Sequence, residues 1–460
     1  MISKRKIFIS WEGLEMNLYR MLCERQEKRD PIKVGLIGTG KFGTMFLSQV
    51  IRTPGMHLVG VADLDPERAS DSMIKTGWTE EQIGASSLDD ALNRGSTYIT
   101  DNSEEIIKSG YVDVIIEATG IPSVGIKHAL ACFNEGKHVV MVNVEGDALA
   151  GPLLAMKARD AGVIYSLAYG DQPALISEQV DWARACGLEV VAAGKGTRYL
   201  PEYHYSTPDT VWDYYGLTPE EAKAGGMNSK MFNSFLDGTK SAIEMASVAN
   251  ATGLLPPNGG LQFPPCGIED LARVLKPRQD GGQLEKKGTL EVISSQKRDG
   301  SDVKRDLRWG VYVSFEAPSD YVKRCFSEYG LVTDDTGRYS VLYRPYHLIG
   351  LELGISVASI CLRGEATGCA SDFRGDVASI AKKDLYPGDI LDGEGGYSVW
   401  GKLFSAEDSL TRGLLPLGLA QKAKLVREVS RGKPLTWADV DLSPDNDAVR
   451  VRKEMEKSFS

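Results

Sequence analysis

The sequence predicts an α/β protein whose first domain is a doubly wound parallel sheet. A β-branched apolar run, IKVGLI at 32–37, precedes the glycine-rich segment GTGKFG at 38–43, which leads into a helical pattern. Short apolar runs then alternate with helix-length patterns as far as residue 168. That alternation is typical of βαβ units, which build parallel sheets of the Rossmann kind. The length of 460 residues, at about 150 residues per domain, predicts two to three domains.

The glycine-rich segment predicts a dinucleotide site. Gly38 permits a tight turn, Gly40 lets the backbone approach a pyrophosphate, and Gly43 lets the helix pack close to the strand. A second apolar run at 56–62 ends at Asp63, 20 residues after Gly43, which is the usual spacing of the acid that binds the adenosine ribose. The intervening residues of the loop, at the start of the helix, are expected to contact the cofactor as well; they are Thr39, Lys41 and Phe42.

The identity of the cofactor depends on Asp63. A carboxylate accepts hydrogen bonds from the ribose hydroxyls and repels a 2′-phosphate, which favours NADH. Arg68 lies close enough in sequence to leave NADPH open.

Two further strand ends are predicted to border the nicotinamide. VDVIIEATG at 112–120 ends in Thr119 and Gly120, and KHVVMVNVE at 137–145 ends in Asn143 and Glu145. Ligands bind at the carboxyl ends of parallel strands, so these four residues are expected at the cofactor. Ordinary strand-end turns are the alternative. A helix over GPLLAMKARDAG at 151–162 is predicted to follow.

Residues 168–345 are predicted to form an α+β substrate domain with a second, open sheet. Its strands are expected at 188–194, 288–295, 308–317 and 338–344. Lys195 follows the first of these strands, and Lys240 lies four residues before Glu244 on a predicted helix. An ammonium group can hold an anion or protonate a carbonyl oxygen, so Lys195 and Lys240, with Asp171, are the predicted catalytic residues. A solvated pair between Lys240 and Glu244 is the alternative for the helix.

An aromatic segment, YLPEYHYSTPDTVWDYYG at 199–216, is expected to line the substrate pocket. An aromatic minicore is the alternative. The predicted substrate contacts are the charged or imidazole side chains in and near this segment, together with one arginine of a later strand: Arg198, His204, Asp209 and Arg344.

Composition limits the partners. The chain has 53 Lys and Arg against 63 Asp and Glu, a formal charge of −10, which argues against a general binder of nucleic acid or anionic membranes. No apolar run reaches the roughly 18 residues of a membrane span. Seven scattered cysteines without a CxxC pair fit a reducing cytosol. We therefore expect a cytoplasmic protein with a small-molecule substrate, and a homodimer. Met16 is an alternative start; otherwise residues 1–15 form a short tail.

Several motifs together resemble homoserine dehydrogenase. They are VGLIGTGKFG, the strand end EATG, the segment NSFLDGTKSAIE, and RPYHLIGLELGISVASICLRGEATG at 344–368. In that family the helix within the last of these segments packs back on the nucleotide domain, and we expect this return helix at 346–369. The family carries alanine, asparagine and lysine at a strand end where this chain has VNVE at 142–145, so the usual lysine is absent there.

From Met16 onward the chain more closely resembles homoserine-dehydrogenase-like oxidoreductases with a C-terminal SAF domain. That group includes the 1-deoxy-D-xylulose 5-phosphate reductoisomerase-like enzymes, called DRL. The resemblance implies that NADPH reduces an aldehyde formed by rearrangement of a sugar phosphate, a step towards isoprenoid precursors. This NADPH preference conflicts with the NADH preference that Asp63 predicts. A divalent cation, Mg²⁺ or Mn²⁺, would assist such a rearrangement as a Lewis acid, but no ligand spacing marks a site for it.

The expected organisation is an N-terminal extension and helix at 1–30, an NAD(P)-binding domain at 31–167, the substrate domain at 168–345, the return helix at 346–369 and an SAF-like domain at 370–455. The charged tail after Leu442 is expected to fray. Two other functions stay open: a homoserine-dehydrogenase-like enzyme of another hydroxy acid or sugar acid, and a nucleotide sensor without turnover.

Overall fold

The computed structural model describes residues 17–443 and 445–459. Met16 and the extension before it lie outside the described residues. The first described helix, α1 (Leu18–Glu27), begins at Asn17, whose side chain accepts a hydrogen bond from the Tyr19 amide. Leu22 of this helix is buried against the core of the first domain.

Six parallel strands form the first sheet, which confirms the predicted fold class. Their order across the sheet is β3-β2-β1-β4-β5-β6. Buried β-branched and leucine side chains fill both faces of the central strands, as a sheet covered by helices on two sides requires. The three residues of β3 are too few for a hydrophobic pattern, and the sequence did not predict this strand. The strands are β1 (Ile32–Ile37), β2 (Met56–Ala62), β3 (Tyr98–Thr100), β4 (Val114–Glu117), β5 (His138–Met141) and β6 (Tyr165–Leu167).

Seven helices connect these strands. They are α2 (Lys41–Val50), α3 (Pro66–Lys75), α4 (Glu80–Ile83), α5 (Leu88–Arg94), α6 (Ser103–Ile107), α7 (Pro122–Asn134) and α8 (Val144–Asp160).

Helix α8 begins seven residues earlier than the sequence predicted. Asn143 is its N-cap, and the Asn143 side chain accepts a hydrogen bond from the Gly146 amide. Strand β5 therefore ends at Met141, and Glu145 lies in the first helical turn instead of at a strand end. The prediction was wrong because a Gly-Pro pair usually marks a helix start, whereas here Pro152 lies inside the helix.

The substrate domain holds a mixed four-stranded sheet in the order β10-β9-β7-β8. Strand β7 pairs in parallel with β8 and antiparallel with β9. Helix α13 is buried along nearly its whole length. The strands are β7 (Glu189–Thr197), β8 (Thr289–Ser294), β9 (Val311–Glu316) and β10 (Tyr339–Arg344). The helices are α9 (Gln172–Ala185), α10 (Val211–Tyr215), α11 (Pro219–Ala224), α12 (Ser229–Leu236), α13 (Thr239–Thr252), α14 (Leu271–Val274) and α15 (Asp320–Glu328).

The chain then returns to the first domain. Helix α16 (Gly354–Ala358) runs into a π-helical turn at Ser359–Arg363. Leu353, Val357 and Ile360 pack into the core that contains Leu36 and Phe46 of the first sheet.

Residues after 370 form two small antiparallel sheets and two helices. Strand β11 (Gly375–Ala381) pairs with β12 (Val399–Ser405), and β13 (Lys424–Leu425) pairs with β14 (Val440–Asp441). Helix α17 (Ala406–Arg412) follows β12, and α18 (Asp447–Ser458) follows β14. We refer to residues 370–459 as the C-terminal module. Among the described residues, none of the helices is both long enough and apolar enough to cross a bilayer.

The charged tail does not fray, contrary to the prediction. Helix α18 buries Val449, Val451 and Met455, and the Arg452 side chain is fully buried. Its guanidinium is paired with Asp376 of β11. The prediction was wrong because it considered only the high charge of the segment. One face of α18 is apolar and packs on α7 and α8.

Candidate active site

The glycine-rich loop has the geometry of a tight turn followed by an open helix start. Gly38 has a φ of +98°, and a Cβ there would lie 2.7 Å from the Ala118 carbonyl oxygen. A Cβ at Gly43 would lie 2.2 Å from the Gly38 oxygen, so only glycine lets α2 pack this closely. No atom lies within 4 Å of a Cβ placed at Gly40. The backbone therefore leaves free space in front of α2.

That space suits the phosphates of a dinucleotide. Gly40 is the N-cap of α2 and has no side chain to cap it, so amides of the first turn remain available to an anion. The residues present therefore fit an NAD(P) cofactor, with its pyrophosphate at Gly40 and the amides of Lys41 and Phe42.

Asp63 is already engaged within the protein. One carboxylate oxygen accepts hydrogen bonds from the Thr39 amide and hydroxyl, at 2.8 and 2.6 Å, and the other accepts from the Asp65 amide and Arg68. Burial opposes ionisation, but these hydrogen bonds and the Arg68 charge outweigh it and lower the pKa of Asp63. The carboxylate thus orders the glycine-rich loop, and a ribose hydroxyl would compete with these donors. The NADH preference inferred from Asp63 stays a prediction.

Thr119 and Asn143 hold the neighbouring strand ends in place. The Thr119 hydroxyl donates to Glu117, and the Asn143 amide group donates to the Ile121 carbonyl at 2.9 Å. Gly120 has a φ of +69° and lines a large cavity described below.

A cleft of about 380 Å³ begins at the glycine-rich loop and extends into the substrate domain. Five cationic side chains line it, together with one carboxylate, that of Glu244, and several aromatic rings including Trp309. This excess of positive charge suits an anionic ligand. The cations are Lys41, Lys195, Arg198, Lys240 and Arg308.

The two predicted catalytic lysines lie in this cleft, each in an ion pair with a distant carboxylate. Lys195 of β7 pairs with Glu244 of α13, and Lys240 of α13 pairs with Glu145 of α8. All four side chains are at most 14% exposed. The alternative of a solvated pair between Lys240 and Glu244 is wrong, because packing brings each of them to a closer partner. Burial opposes the charge of Lys240, but Glu145 and other nearby carboxylates outweigh it and raise the pKa of Lys240.

Asp171 lies beside these pairs. It is buried at the N-cap of α9, where its side chain accepts a hydrogen bond from the Gln172 amide at 2.8 Å. Burial, followed by the charge of Glu244, raises the pKa of Asp171 to about 6, against the opposing effect of Lys240 and His347.

Arg198 is the cleft cation best placed to receive a ligand. Its Nε is buried and has no hydrogen-bond partner among residues 17–443 and 445–459. Its guanidinium lies 5.9 Å from the centre of the Tyr215 ring. By contrast, Arg308 is held by Asp306.

Three predicted substrate contacts lie away from the cleft. His204 stacks on Trp400 at 3.8 Å between ring centres, and its ring nitrogens contact the Asp237 carbonyl and the Tyr199 hydroxyl. Burial lowers the pKa of His204 to about 4. Asp209 is exposed and accepts a hydrogen bond from the Tyr397 hydroxyl. Arg344 pairs with Glu352.

Part of the aromatic segment forms a minicore, and part of it lines the cleft. Tyr203 and Trp212 are buried in a small hydrophobic cluster with Leu236, as the minicore alternative predicted. Tyr215 instead lines the cleft.

The sequence predicted no substrate contact at Arg308, Trp309 or His347, all of which line the cleft. The His347 Nδ1–H donates to the Trp309 carbonyl at 2.8 Å, which fixes the ring at the cleft. The tryptophan-glycine pair Trp309-Gly310, at the start of a predicted strand, was the available signal. Among the described residues, no three His, Cys, Asp or Glu side chains form a group able to hold a metal ion.

The six-stranded sheet, the open helix start and the adjoining cleft with its buried lysines define an NAD(P)-dependent oxidoreductase. Residues 32–141 match the oxidoreductase family described by its NAD-binding Rossmann fold, and residues 170–353 match the catalytic domain of the oxidoreductase DRL. Residues 170–353 therefore resemble the DRL catalytic domain, and the chain is an NAD(P)-dependent oxidoreductase.

A curated relative is the 1-deoxy-D-xylulose 5-phosphate reductoisomerase of Stutzerimonas stutzeri (strain A1501), 25% identical over 233 residues. The match covers 48% of this chain and 56% of the relative, so the chain spans little more than half the length of that protein. Among solved structures, a probable dehydrogenase from Thermotoga maritima is 14% identical, with 73% of this chain and 90% of that chain covered and a TM-score of 0.36. Levoglucosan dehydrogenase in complex with NADH is 17% identical, with 39% and 45% covered and a TM-score of 0.28.

Replacing Gly40 with valine is expected to weaken NADPH and NADH binding by about 100-fold or more, because the side chain would fill the space of the pyrophosphate. The φ of −60° at Gly40 suits any residue, so the melting temperature should hold. Calorimetric titration measures the affinity. Gly110→Ala, at an exposed turn with open space around it, controls for loss of a glycine. Unchanged affinity in Gly40→Val would contradict this placement of the cofactor.

Proposed function

We propose that this protein is an NAD(P)H-dependent reductase of a small phosphorylated sugar carbonyl, with 1-deoxy-D-xylulose 5-phosphate reductoisomerase activity as the specific form. Its product would enter isoprenoid precursor synthesis. The curated relative carries that activity in its name, and the DRL match covers the domain that forms most of the cleft.

The observation that carries the proposal is the charge of the cleft. The carboxylates Glu244 and Glu145 occupy Lys195 and Lys240. Arg198 keeps a buried nitrogen without a partner among the described residues, and Lys41, the first residue of α2, also lines the cleft. A guanidinium fork and an ammonium suit the oxygens of a phosphate monoester.

The bound cofactor would supply the hydride that reduces the carbonyl carbon. The residues of the chain then have to hold the substrate and stabilise charge at its oxygen. Lys240 and Lys195 present ammonium groups at the cleft within a largely buried environment, where such charges stabilise a developing oxyanion most strongly. The aromatic rings of Tyr215, Phe232 and Trp309 reduce the access of water.

The test measures NADPH and NADH oxidation with 1-deoxy-D-xylulose 5-phosphate, its unphosphorylated analogue, and a panel of hydroxy acids and sugar acids in the reverse direction. We expect turnover with the phosphorylated sugar. Complementation of a strain that lacks its ordinary reductoisomerase is the matching test in cells. Turnover restricted to a hydroxy acid would replace this proposal with a homoserine-dehydrogenase-like activity.

Arg198→Met is expected to raise KM for the phosphorylated substrate by about 100-fold while kcat changes only a few-fold, because the phosphate loses a charge-assisted contact in ground and transition states alike. Arg324→Met, at an exposed surface position, is the matched control. An equal loss for the unphosphorylated analogue would show that Arg198 does not bind the phosphate.

Three further expectations belong to the same proposal: an SAF-like C-terminal module, a homodimer and a cytoplasmic location. Light scattering on the purified protein tests the homodimer.

A further inference from the structure

One loop of the C-terminal module reaches towards the active site. Residues 392–398 read DGEGGYS, and Asp392 closes the loop by accepting hydrogen bonds from the Tyr397 and Ser398 amides at 2.6 and 3.0 Å. Glu394 lies at the centre of this closed turn, on the side of the substrate domain.

The loop is pressed against α12. The Asn233 side chain donates to the Gly395 carbonyl at 2.9 Å, and a Cβ on Gly395 would lie 2.0 Å from the Lys230 carbonyl oxygen. Buried Lys382 donates to the Gly396 carbonyl at 2.9 Å. Contacts this tight hold the loop in one position, so the direction of Glu394 is set by the backbone.

The Glu394 carboxyl group faces a cavity of about 680 Å³ between the C-terminal module and the first domain. Gly120 and Ile121, which follow β4, line the same cavity, as does Glu145 after β5. The loop after β4 and the first turn of α8 follow the carboxyl ends of two parallel strands, and a Rossmann domain binds the nicotinamide half of its cofactor at that edge of the sheet. The Ser234 hydroxyl donates to Glu394 at 2.5 Å and keeps the group in place.

We propose that Glu394, supplied by the C-terminal module, is the proton donor of the reductase and faces the nicotinamide subsite. This inference rests on the proposed function. Reduction of a carbonyl adds a hydride to carbon and a proton to oxygen. The hydride comes from C4 of NAD(P)H, which is oxidised to NAD(P)⁺. The O–H bond of Glu394 breaks, an O–H bond forms on the product alcohol, and water reprotonates the carboxylate.

The surrounding charges favour Glu394 as the proton donor and Lys240 as the group that stabilises the oxyanion. Burial, followed by the charge of Glu145, raises the pKa of Glu394 to about 7, while Lys240 and the Ser234 hydrogen bond act in the opposite direction. Asp237 also faces it and adds to the rise. A proton donor works best when its pKa lies near the working pH. Lys240, whose pKa is raised, stays charged and suits stabilisation of the oxyanion better than donation.

The decisive measurement is the proton balance of cofactor binding, which needs no substrate. NADP⁺ carries a positive nicotinamide ring, which lowers the pKa of a nearby carboxyl group, whereas the ring of NADPH is neutral. At pH 7, calorimetry in buffers of different ionisation enthalpy should show release of roughly 0.4 proton per site with NADP⁺ if that pKa falls by about one unit. Glu394→Gln should remove this release, and Glu407→Gln, on the exposed surface of the same module, should retain it. Equal release in Glu394→Gln and the unmodified protein would overturn the proposal.

The kinetic measurement is the pH profile of carbonyl reduction. Activity should be highest below pH 7 and fall above it, because only protonated Glu394 donates. Glu394→Gln should lower kcat by about 100-fold or more and abolish the fall in activity above pH 7, which is the alkaline limb of the profile. Cofactor affinity should be retained. Ser234→Ala should move the limb to higher pH, because the carboxylate loses a hydrogen bond. A limb that persists unchanged in Glu394→Gln would refute the assignment.

Failure of the two proposals is distinguishable. If no sugar phosphate is reduced but proton release is lost in Glu394→Gln, the substrate assignment fails and the placement of Glu394 is supported. If a sugar phosphate is reduced equally well by Glu394→Gln, the proton donor lies elsewhere and the proposed function stands.

Discussion

Lys195→Met is expected to lower kcat by about 1000-fold and the free energy of unfolding by about 3 kcal/mol. The ammonium of Lys195 and the carboxylate of Glu244 form an ion pair at the cleft, with side chains 8% and 6% exposed. Removing the ammonium leaves Glu244 buried without its partner and close to Asp171, whose pKa the Glu244 charge already raises. The effect on the rate follows from the loss of a positive charge where the substrate oxygen is expected.

The double variant Lys195→Met/Glu244→Met separates the two effects. Replacing a buried ion pair with apolar side chains of similar volume is often neutral, so stability should return to within about 1 kcal/mol. Turnover should stay low. Denaturant unfolding and steady-state kinetics at saturating cofactor measure the two quantities, and calorimetry checks that cofactor binding survives. Recovery of turnover in the double variant would show that Lys195 serves the fold alone.

Arg452→Met is expected to lower the free energy of unfolding by about 4 kcal/mol. The buried guanidinium donates to both Asp376 oxygens, at 3.0 and 2.6 Å, to the Leu149 carbonyl at 3.2 Å, and to Glu456. It therefore ties α18 to β11 and to α8 of the first domain. Without it, Asp376 stays buried with a charge that the remaining hydrogen bonds from the Val377 amide and the Ser409 hydroxyl do not neutralise.

Arg450→Met is the matched control on the same helix. Arg450 pairs with Asp447 at the surface, with side chains 67% and 53% exposed, and such pairs contribute at most about 1 kcal/mol. Denaturant unfolding should therefore separate the two variants clearly. Equal losses of stability would mean that the Arg452 cluster does not hold the C-terminal module in place.

The C-terminal module contacts both the first domain and the substrate domain. The module is joined to the first domain through Arg452, and its loop at 392–398 rests on α12 through Asn233. An unfolded module would remove Glu394 from the nicotinamide subsite. Arg452→Met is thus expected to lower turnover whenever it lowers the population of the folded module.

The sequence by itself determined the Rossmann unit and the position of the cofactor loop. Gly38 acts through its own positive φ, Gly43 acts through its contact with the Gly38 carbonyl five residues earlier, and the β-branched runs on either side specify strands by local propensity and burial. Lys195 was found for the same reason, because the end of an apolar strand in the substrate domain is a local feature. The fold class and the NAD(P) cofactor followed from patterns that short segments carry on their own.

Only the tertiary structure decided which charged groups meet. Lys240 and Glu244 lie one helical turn apart, but they do not pair with each other. Packing places Glu145 against Lys240 and Lys195 against Glu244. His204 was predicted to contact the substrate, but its ring is stacked on Trp400 and packs against Tyr199, away from the cleft. Glu394, flanked by glycines far along the chain, gave no sign of its neighbours. Contacts between residues 49 or more positions apart depend on how whole elements pack. The electrostatic energy of a buried charge depends on those contacts more than on its neighbours in the chain.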